Sequence, residues 1–577
     1  MWSYEKDQER LQTLMEECLT TDDNPSEVVF EDDEDENEED RLTAEILETD
    51  TEQEISDEEE ENVEETVATP YFLGKDKISK WEKHVPPKNV RTRSENLVTH
   101  LPGPKAATRN LKTPLEIWSY FFNHDILEII VEHTNQKINA IKYNYSRERD
   151  ANPTNITEVK ALLGLVYLAG VKKCARTNAE ELWKTDGSGI ELFRLTMSCS
   201  RFRFLLRHLR FDDSDTREER KATDKLAAIR SVFDAFVEKC KTAFTPFEYV
   251  TVDEKLEAFR GRCGWRQYIP SKPNKYGLKV FALCDSKTYY TLNLEVYVGN
   301  QPAGPFKVSN SPGAVVERLA EPIRGTGRNI TVDNWFTNLE LIANLKQNFR
   351  LTLLGTIRKN KRELPPEFAN PSTRSEKTSM FAFHKNCTLV SYIPKPKKNV
   401  LLVSSMHTDD ALDKNTGKPE MIMLYNQTKG GVDMVDKLCS IYDCARNTCR
   451  WPMVIFYSLL NVGCINSFVI FLANNINSTI PRREFIHQLS FALIEEHLKT
   501  RVVIRNMPTT IKIRIREILG LENTTLPEEA EERRGRCAVC DRKKNRPTRY
   551  YCRKCNKFLC LEHSVIMCDE CIQSAYW

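Results

Sequence analysis

The sequence predicts a multidomain α/β protein, and three observations support this fold class. The chain has 577 residues, which is more than one hydrophobic core usually holds. Apolar residues recur at helical spacing over 113–247, alternate as in β-strands from residue 248 onward, and return to helical spacing over 452–519. Seven of the 18 cysteines fall within 537–571, which predicts a separate metal-binding module at the C-terminal end.

The N-terminal region, residues 1–112, is predicted to be disordered, with an acidic first part and a basic second part. Residues 1–66 hold 29 Asp or Glu and 3 Lys or Arg, so this segment carries −26 and the remaining chain +25. Such an acidic segment buries too little apolar surface to offset the entropy of ordering it. Residues 70–113 are basic and are predicted to form an extended linker, because they contain prolines that disfavour helix: Pro86, Pro87, Pro102 and Pro104. An acidic tail on a basic body indicates either a polyanionic partner such as nucleic acid or a tail that only aids solubility.

The remaining boundaries follow the changes in periodicity. Helical segments over 113–247 and 442–521 flank an α/β segment over 248–441, and from this order we expect the two helical parts to pack together as one domain. A polar linker over 522–532 precedes the cysteine-rich residues 533–577.

One apolar segment, Val454–Ala473, has twenty residues without a charge, which is long enough to cross a membrane. Polar residues such as Ser458 and Asn466 interrupt it and no other segment looks membrane-bound, so a buried core helix is predicted and no membrane is expected. Met1–Thr20 is polar and charged and does not resemble a secretory signal. We therefore expect reduced thiols, and a dense group of Cys and His then indicates metal binding and not disulfides.

Several aspartates stand where a metal-dependent active site would need them. Asp253 and Asp333 end apolar strands, and Asp433 and Asp436 begin a predicted helix at a spacing that places both on one face. Carboxylates suit Mg²⁺ or Mn²⁺, and phosphoryl transfer on DNA commonly uses two such ions ~4 Å apart. Aspartates at strand ends and helix starts are also ordinary turn and capping residues. Spacing alone leaves the choice open, because other acids fit equally well, namely Asp285 and Asp409–Asp410.

Longer sequence blocks decide between these alternatives. In order along the chain they are Thr251-Val-Asp-Glu254 with Phe259-Arg-Gly-Arg-Cys263 and Tyr268-Ile-Pro-Ser-Lys-Pro-Asn-Lys-Tyr-Gly277, Arg328-Asn-Ile-Thr-Val-Asp-Asn-Trp-Phe336, Gly355-Thr-Ile-Arg-Lys-Asn-Lys-Arg362, Tyr425-Asn-Gln-Thr-Lys-Gly-Gly-Val-Asp433 and Arg450-Trp-Pro452. Together they resemble the piggyBac family of DDE/D transposases, and the resemblance runs from about Trp118 to the C-terminus.

The resemblance implies an RNase H-like catalytic core over 248–441 with an insertion near 359–418. It implies that the flanking helical parts form a dimerisation and DNA-binding domain. The catalytic, metal-binding acids would be Asp253, Asp333 and Asp433, with Asp436 assisting, and they would hold two Mg²⁺ or Mn²⁺ ions.

The implied activity is cut-and-paste DNA transposition in the nucleus by a homodimer. Its steps are strand nicking by water, formation and later reopening of hairpins at the ends of the element, and joining of the 3′-hydroxyls to target DNA at TTAA. The partners are therefore double-stranded transposon ends and target. The main alternative is a domesticated relative that binds DNA or chromatin without moving an element.

The C-terminal cysteines form four two-ligand pairs, which is enough for two tetrahedral Zn²⁺ ions. Alternate pairing would place Cys537, Cys540, Cys560 and His563 on one ion, and Cys552, Cys555, Cys568 and Cys571 on the other. Sequential pairing is the alternative. The histidine is the sixth of the eight ligands, later than in a ubiquitin-ligase RING, and the module resembles the cysteine-rich domain of the piggyBac family.

Basic residues surround the first zinc ligands, which predicts contacts with phosphates or a nuclear import signal. A solvated surface is the plainer interpretation. The candidate DNA-contacting residues are Arg534, Arg536, Arg542, Lys543, Lys544, Arg546 and Arg549.

Overall fold

The computed structural model describes residues 2–17, 70–87, 96–270, 272, 274–371, 374–521, 535–541, 544, 546–552 and 555–565. The chain divides into two compact units, Met1–His497 and Leu498–Trp577. The first unit contains the central sheet and most of the helices, and the second contains the cysteine-rich residues.

Helices precede, follow and interrupt the strands. In the order of the chain they are α1 (Trp2–Glu17), α2 (Pro114–Phe121), α3 (His124–Ile141), α4 (Ile156–Val171), α5 (Ala179–Leu182), α6 (Glu191–Thr196), α7 (Cys199–His208), α8 (Arg217–Lys221), α9 (Arg230–Ala243), α10 (Pro312–Ala320), α11 (Leu339–Asn344), α12 (Pro366–Ala369), α13 (Glu420–Thr428), α14 (Gly431–Ile441), α15 (Trp451–Asn474), α16 (Arg482–Val502) and α17 (Thr509–Ile518).

The strands lie mainly between α9 and α13. They are β1 (Tyr71–Leu73), β2 (Lys80–Glu82), β3 (Gly103–Pro104), β4 (Phe244–Thr245), β5 (Tyr249–Ala258), β6 (Gln267–Tyr268), β7 (Tyr276–Asp285), β8 (Thr291–Val296), β9 (Asn329–Val332), β10 (Thr352–Thr356), β11 (Ser379–Phe383), β12 (Thr388–Lys395), β13 (Lys398–Ser404), β14 (Gly535–Arg536) and β15 (Pro547–Thr548).

Local sequence signals explain where the helices begin. Thr113 and Glu116 form a reciprocal capping box at the start of α2, and Pro114 occupies its first turn, where no amide hydrogen is needed. The side chains of Asn123 and Asn155 accept backbone hydrogen bonds at the starts of α3 and α4.

The apolar helix α15 lies in the core of the first unit. By its length and composition this helix could cross a membrane. However, 89% of its most apolar 18-residue stretch is buried inside the fold. Tyr167 of α4 donates a 2.9 Å hydrogen bond to the carbonyl of Leu460 in α15, and Trp118 of α2 donates to Tyr167. A Cβ atom on Gly463 would lie 2.6 Å from the ring of Phe122, so α2 and α15 can approach this closely only because residue 463 is glycine. Helices from both predicted helical segments therefore meet around α15.

The central sheet has eleven strands, in the order β1-β2-β11-β12-β13-β10-β9-β5-β7-β6, with β8 also paired to β7. β5 is parallel to β9 and β9 is parallel to β10, whereas the other pairs are antiparallel. Strands β11 to β13, which fall in the predicted insertion, extend the sheet through the pairing of β13 with β10. Leu354, Leu402 and Met421 form part of the core that covers this extension.

The structure differs from the linker expected within residues 70–113. Residues 71–82 form the hairpin β1–β2 at one edge of the central sheet, where Phe383 pairs with Glu82. Trp81 is fully buried, and its indole Nε1 donates a 2.8 Å hydrogen bond to the carbonyl of Glu363. The charge and proline content of residues 70–113 did not predict this hairpin, because its stability comes from a few aromatic side chains that pack against the sheet.

Part of the predicted disordered segment also forms a helix, α1. Leu11 and Met15 of α1 are buried, and the guanidinium of Arg10 donates to the carbonyls of Leu472 and Ser478, near the end of α15. Most of the acidic segment, residues 18–69, lies outside the described residues.

Candidate active site

Asp253 and Asp333 occupy matching positions on two neighbouring parallel strands. Thr251 of β5 lies opposite Thr331 of β9, and each aspartate follows two residues later. Because side chains alternate along a strand, both carboxylates lie on the face of the sheet that Thr251 and Thr331 share.

The junction between α13 and α14 covers this same face. The hydroxyl of Thr251 donates a 2.6 Å hydrogen bond to the carbonyl of Thr428, and the hydroxyls of Thr331 and Thr428 are 2.7 Å apart. A Cβ atom on Gly431 would lie 2.5 Å from the Thr251 hydroxyl, so only glycine lets α14 begin this close to β5. Asp433 then follows in the first turn of α14, at the end of the sheet that carries Asp253 and Asp333.

Burial and mutual repulsion dominate the electrostatics of the strand acids. Burial raises the pKa of Asp253 well above its ordinary value, and the charges of Glu254 and Asp333 raise it further. Burial, followed by the charge of Glu254, also raises the pKa of Asp333. Glu254 was not predicted as a site residue, although it follows Asp253 directly.

Lys272 lies among these carboxylates. Its ammonium donates to Asp433 at 3.2 Å and to the backbone carbonyl of Glu254 at 3.3 Å. Burial lowers the pKa of Lys272, but Asp433 and Asp253 more than compensate, so the net shift is upward. Asp433 itself is more exposed than the strand acids, with 62% of its side chain accessible.

A tyrosine of α13 also faces the strand acids. The pKa of Tyr425 is raised to about 12, first by burial and then by the charges of Asp333 and Asp253. Tyr425 opens one of the motif blocks in the sequence, but the motif did not indicate that its hydroxyl would lie near both acids.

Asp436 lies one turn after Asp433 and has a different partner. Its carboxylate is 3.1 Å from the ammonium of Lys255 in β5. Burial raises the pKa of Asp436, and the charge of Lys255 opposes that rise. The sequence contained a signal for this lysine, because strand alternation places Lys255 on the same face as Asp253.

Of the competing acids, Asp285 has a structural role. It is fully buried, accepts hydrogen bonds from the backbone of Phe247 and Thr288 and from the Thr288 hydroxyl, and so closes the turn after β7. Asp409 and Asp410 lie on the loop between β13 and α13.

The residues present fit a divalent cation. Asp253 and Asp333 repel one another and Glu254, and a cation between carboxylates removes such repulsion. The donors are hard oxygen atoms that converge from β5, β9 and α14, and oxygen donors suit Mg²⁺ or Mn²⁺.

A basic loop follows β10 beside this end of the sheet. Arg358 donates a 3.4 Å hydrogen bond to Asn334, the residue after Asp333. Arg358, Lys361 and Arg362 line an open groove of about 400 Å³ together with Asn360 and Glu363, so three of its five lining residues are basic and one is acidic. A groove with this charge fits a phosphate backbone.

In the second unit, four predicted zinc ligands come together. One potential ligand atom from each of Cys537, Cys540, Cys560 and His563 lies within 4.8 Å of all the others. The His563 Nδ1 atom is 3.2 Å from the Cys560 Sγ atom and 3.4 Å from the Cys540 Sγ atom. Three thiols and an imidazole around one centre are compatible with tetrahedral zinc.

The second predicted zinc set is only partly described. Cys552 and Cys555 are among the described residues, whereas Cys568 and Cys571 are not. Among the candidate DNA-contacting residues, Arg536, Lys544, Arg546 and Arg549 are exposed, and Arg546 pairs with Glu562. Arg534, Arg542 and Lys543 lie outside the described residues.

Comparison with known proteins identifies relatives of this chain. A family model described as transposase IS4 matches residues 113–468. The human PiggyBac transposable element-derived protein 3 is 23% identical over 386 residues, which cover 61% of this chain and 60% of that protein. The human chimeric ERCC6-PGBD3 protein is also 23% identical, over 61% of this chain and 34% of its own length. The chain thus matches less than two thirds of the length of these relatives.

A solved structure is more similar still. The cryo-EM structure of a piggyBac transposase synaptic complex with hairpin DNA superimposes with a TM-score of 0.71 and 37% sequence identity. The superposition covers 82% of this chain and all of that one. The chain therefore belongs to the piggyBac type of the transposase IS4 family.

Proposed function

We propose that this protein is a DNA transposase that excises and inserts a DNA element by phosphodiester hydrolysis and transesterification. The observation that carries the proposal is the placement of Asp253 and Asp333 at matching positions of parallel strands, with α14 bringing Asp433 to the same face. A structural or purely DNA-binding role does not require these mutually repelling carboxylates. Their retention favours the active enzyme over a domesticated DNA- or chromatin-binding relative.

The catalytic core is proposed to be RNase H-like. The order β8-β7-β5-β9-β10 supports this, because β7 and β8 form an antiparallel meander on one side of β5, whereas β9 and β10 lie parallel to β5 on the other. The first two acids then fall on the central strand and its parallel neighbour.

Asp253, Asp333 and Asp433 are proposed to hold two Mg²⁺ or Mn²⁺ ions. When bound, such ions activate the attacking oxygen and stabilise the leaving oxygen of an in-line displacement. The side chains of this protein contribute the converging negative charge, while Lys272 holds the carboxylate of Asp433 in place by its hydrogen bond. The basic groove formed by Arg358, Lys361 and Arg362 would bind the DNA backbone next to the carboxylates.

One site of this kind serves every chemical step, since each is a displacement at a phosphodiester. We propose nicking at the ends of the element by water, and attack of the freed 3′-hydroxyl on the opposite strand to give a hairpin. Water then opens the hairpin, and the regenerated 3′-hydroxyl attacks target DNA at TTAA. The hairpin DNA in the similar piggyBac complex supports the second step. We further propose that the protein works in the nucleus as a homodimer. Each C-terminal module is proposed to hold two zinc ions.

An excision assay with the element's own ends tests the function. We expect wild type to release the element and Asp333→Asn to release none. Asp410→Asn is the matched control, because it removes one exposed carboxylate from the loop before α13. Absence of excision by wild type, with DNA binding intact, would favour the domesticated alternative.

A further inference from the structure

A completely buried lysine lies on β5 close to Asp253, the first of the proposed catalytic acids. Lys255 follows Asp253 by two residues on β5 and is only 1% exposed. Its ammonium is 3.1 Å from an oxygen of Asp436, 3.2 Å from an oxygen of Glu257 and 3.7 Å from the sulfur of Cys439. A buried ammonium is tolerated in a fold only when such partners compensate for its lost hydration.

These contacts join three elements. Lys255 and Glu257 belong to β5, and Asp436 and Cys439 belong to α14. Glu257 also accepts a 2.6 Å hydrogen bond from Ser458 of α15. The charged cluster therefore fixes α14 to the central strand and to the core helix behind it.

The two acids of α14 are divided between two lysines. Asp433, one turn earlier, contacts Lys272 and is 62% exposed toward the open end of the sheet. Asp436 contacts Lys255 and is 35% exposed. A metal ion on Asp436 would compete with Lys255 for the charge of the same carboxylate, and it would so weaken the compensation of the buried ammonium.

We infer that Lys255 is a positioning residue, which fixes the rotation of α14 through Asp436 so that Asp433 faces Asp253 and Asp333. Asp436 is then the anchor of this ion pair and not a metal ligand. The inference rests on the proposed function, because it assigns parts within the same active site.

The decisive comparison is between single and paired substitutions. Lys255→Gln leaves the carboxylates of Asp436 and Glu257 without their cation, and Asp436→Asn removes the ion pair that joins α14 to β5, so each change alone is expected to shift α14. We expect the nicking rate on an element end to fall about 100-fold, as displacements of about 1 Å at active sites commonly cause. The pair K255Q/D436N replaces both charges with amides that can hydrogen-bond, and we expect its rate to lie within about threefold of wild type, because coupled residues are not additive.

Metal binding supplies a readout independent of activity. In a titration with Mn²⁺, electron paramagnetic resonance detects the free ion and so gives the number of ions bound. We expect K255Q/D436N to bind the same number of Mn²⁺ ions as wild type. Asp433→Asn should bind fewer. A second pair, K255M/D436L, covers the case in which the amide pair does not fold, since buried ion pairs can often be replaced by apolar residues without loss of stability.

Two results would overturn the inference. One is a folded paired variant as inactive as D436N alone, and the other is a folded paired variant that binds fewer Mn²⁺ ions than wild type. If wild type itself nicks no DNA, the proposed function fails, and the Mn²⁺ comparison still decides whether Asp436 is a ligand.

Discussion

The side chain of Asn466 in α15 forms two hydrogen bonds with the backbone of Thr291 in β8. Its oxygen accepts from the amide nitrogen of Thr291 and its nitrogen donates to the carbonyl, each at 2.9 Å. Both residues are fully buried. The amide of Asn466 thus pairs with the sheet as a neighbouring strand would, and it attaches β8 to the core helix.

Replacing Asn466 with leucine should destabilise the protein strongly, because it leaves a buried amide and a buried carbonyl without partners. We expect the free energy of unfolding to fall by about 2–6 kcal/mol, given about 1–3 kcal/mol for each buried unsatisfied group. Urea unfolding followed by tryptophan fluorescence measures the change. Asn415→Leu, at an exposed position, is the control and should change stability little.

Asparagine at position 253, 333 or 433 should abolish strand nicking and leave DNA binding largely intact. A neutral amide cannot balance the charge of the cations, and we expect losses greater than about 100-fold, since even outer-shell changes at metal sites cost 10–100-fold. Gel assays of nicking and fluorescence anisotropy of DNA binding separate the two properties. Near-normal nicking by Asp333→Asn would contradict the assignment of the site.

The stability of the helical region should depend on pH through His208. Burial, and then neighbouring positive charges, lower the pKa of His208 from 6.5 to about 4; these charges belong to Arg210, Arg207, Lys137 and Arg450. Between these two pKa values the unfolded chain binds a proton that the folded protein does not, so the free energy of unfolding falls as the pH decreases from about 6.5 to about 4.

His208→Gln removes this contribution. We expect wild type to lose about 2 kcal/mol more stability than the variant between pH 7 and pH 5. Urea unfolding of both proteins at the two pH values gives the comparison. Parallel losses in both would show that His208 does not carry the effect.

The C-terminal module should contain two zinc ions and depend on them for its structure. So short a segment has too small an apolar core to fold without metal. Zinc analysis of the full chain should give two ions per molecule, and Cys540→Ser should lower that number. Cys199→Ser, at a half-exposed cysteine of α7, should not. A wild-type content of one ion or none would refute the prediction.

The acidic segment is expected to compete with DNA for the basic surface of the body. Residues 1–66 carry −26 and the rest of the chain +25, and a tether keeps the effective concentration of the segment high. Because α1 packs against α15, the informative deletion removes only residues 18–66. It should raise the affinity for an unrelated duplex most at low salt.

Anisotropy across a salt series measures this effect, and a neutral linker of equal length in place of residues 18–66 controls for chain length. DNA binding should weaken more steeply with salt than the internal contact, because it releases condensed counterions. Superimposable curves for full-length and deleted proteins would leave only the solubility role.

The sequence predicted the features that depend on local pattern. Strand alternation placed Asp253 and Asp333 on apolar strands, but only Asp333 follows the end of its strand, whereas Asp253 lies in the middle of β5, which continues to Ala258. The cysteine spacing predicted the cluster of Cys537, Cys540, Cys560 and His563. The apolar run of α15 was predicted as a core helix because polar residues interrupt it, and Asn466 is one of those residues.

The local spacing of residues could not predict contacts between distant segments. Lys255 and Asp436 are far apart in the sequence, and nothing local indicates that a lysine next to an active site will be buried. Trp81 lies in a segment whose charge and prolines predicted a linker, but its indole packs against the sheet and closes the β1–β2 hairpin. In both cases tertiary burial outweighs local composition.

The position of α15 in the chain affects how the protein folds during synthesis. The elements α2, α4, α9, β5 and α14 all contact α15, and all precede it. Because a ribosome releases the N-terminal side first, these elements are made before the uncharged turns of α15 emerge. Helix α16 adds its contact later, through Phe485, which packs against Phe468 and Phe471. Much of the helix can therefore be covered as soon as it appears, whereas a chain that stops short of Trp451 exposes the apolar surface that α15 would fill. Nascent chains interrupted before this helix should therefore depend on chaperones far more than the finished protein does.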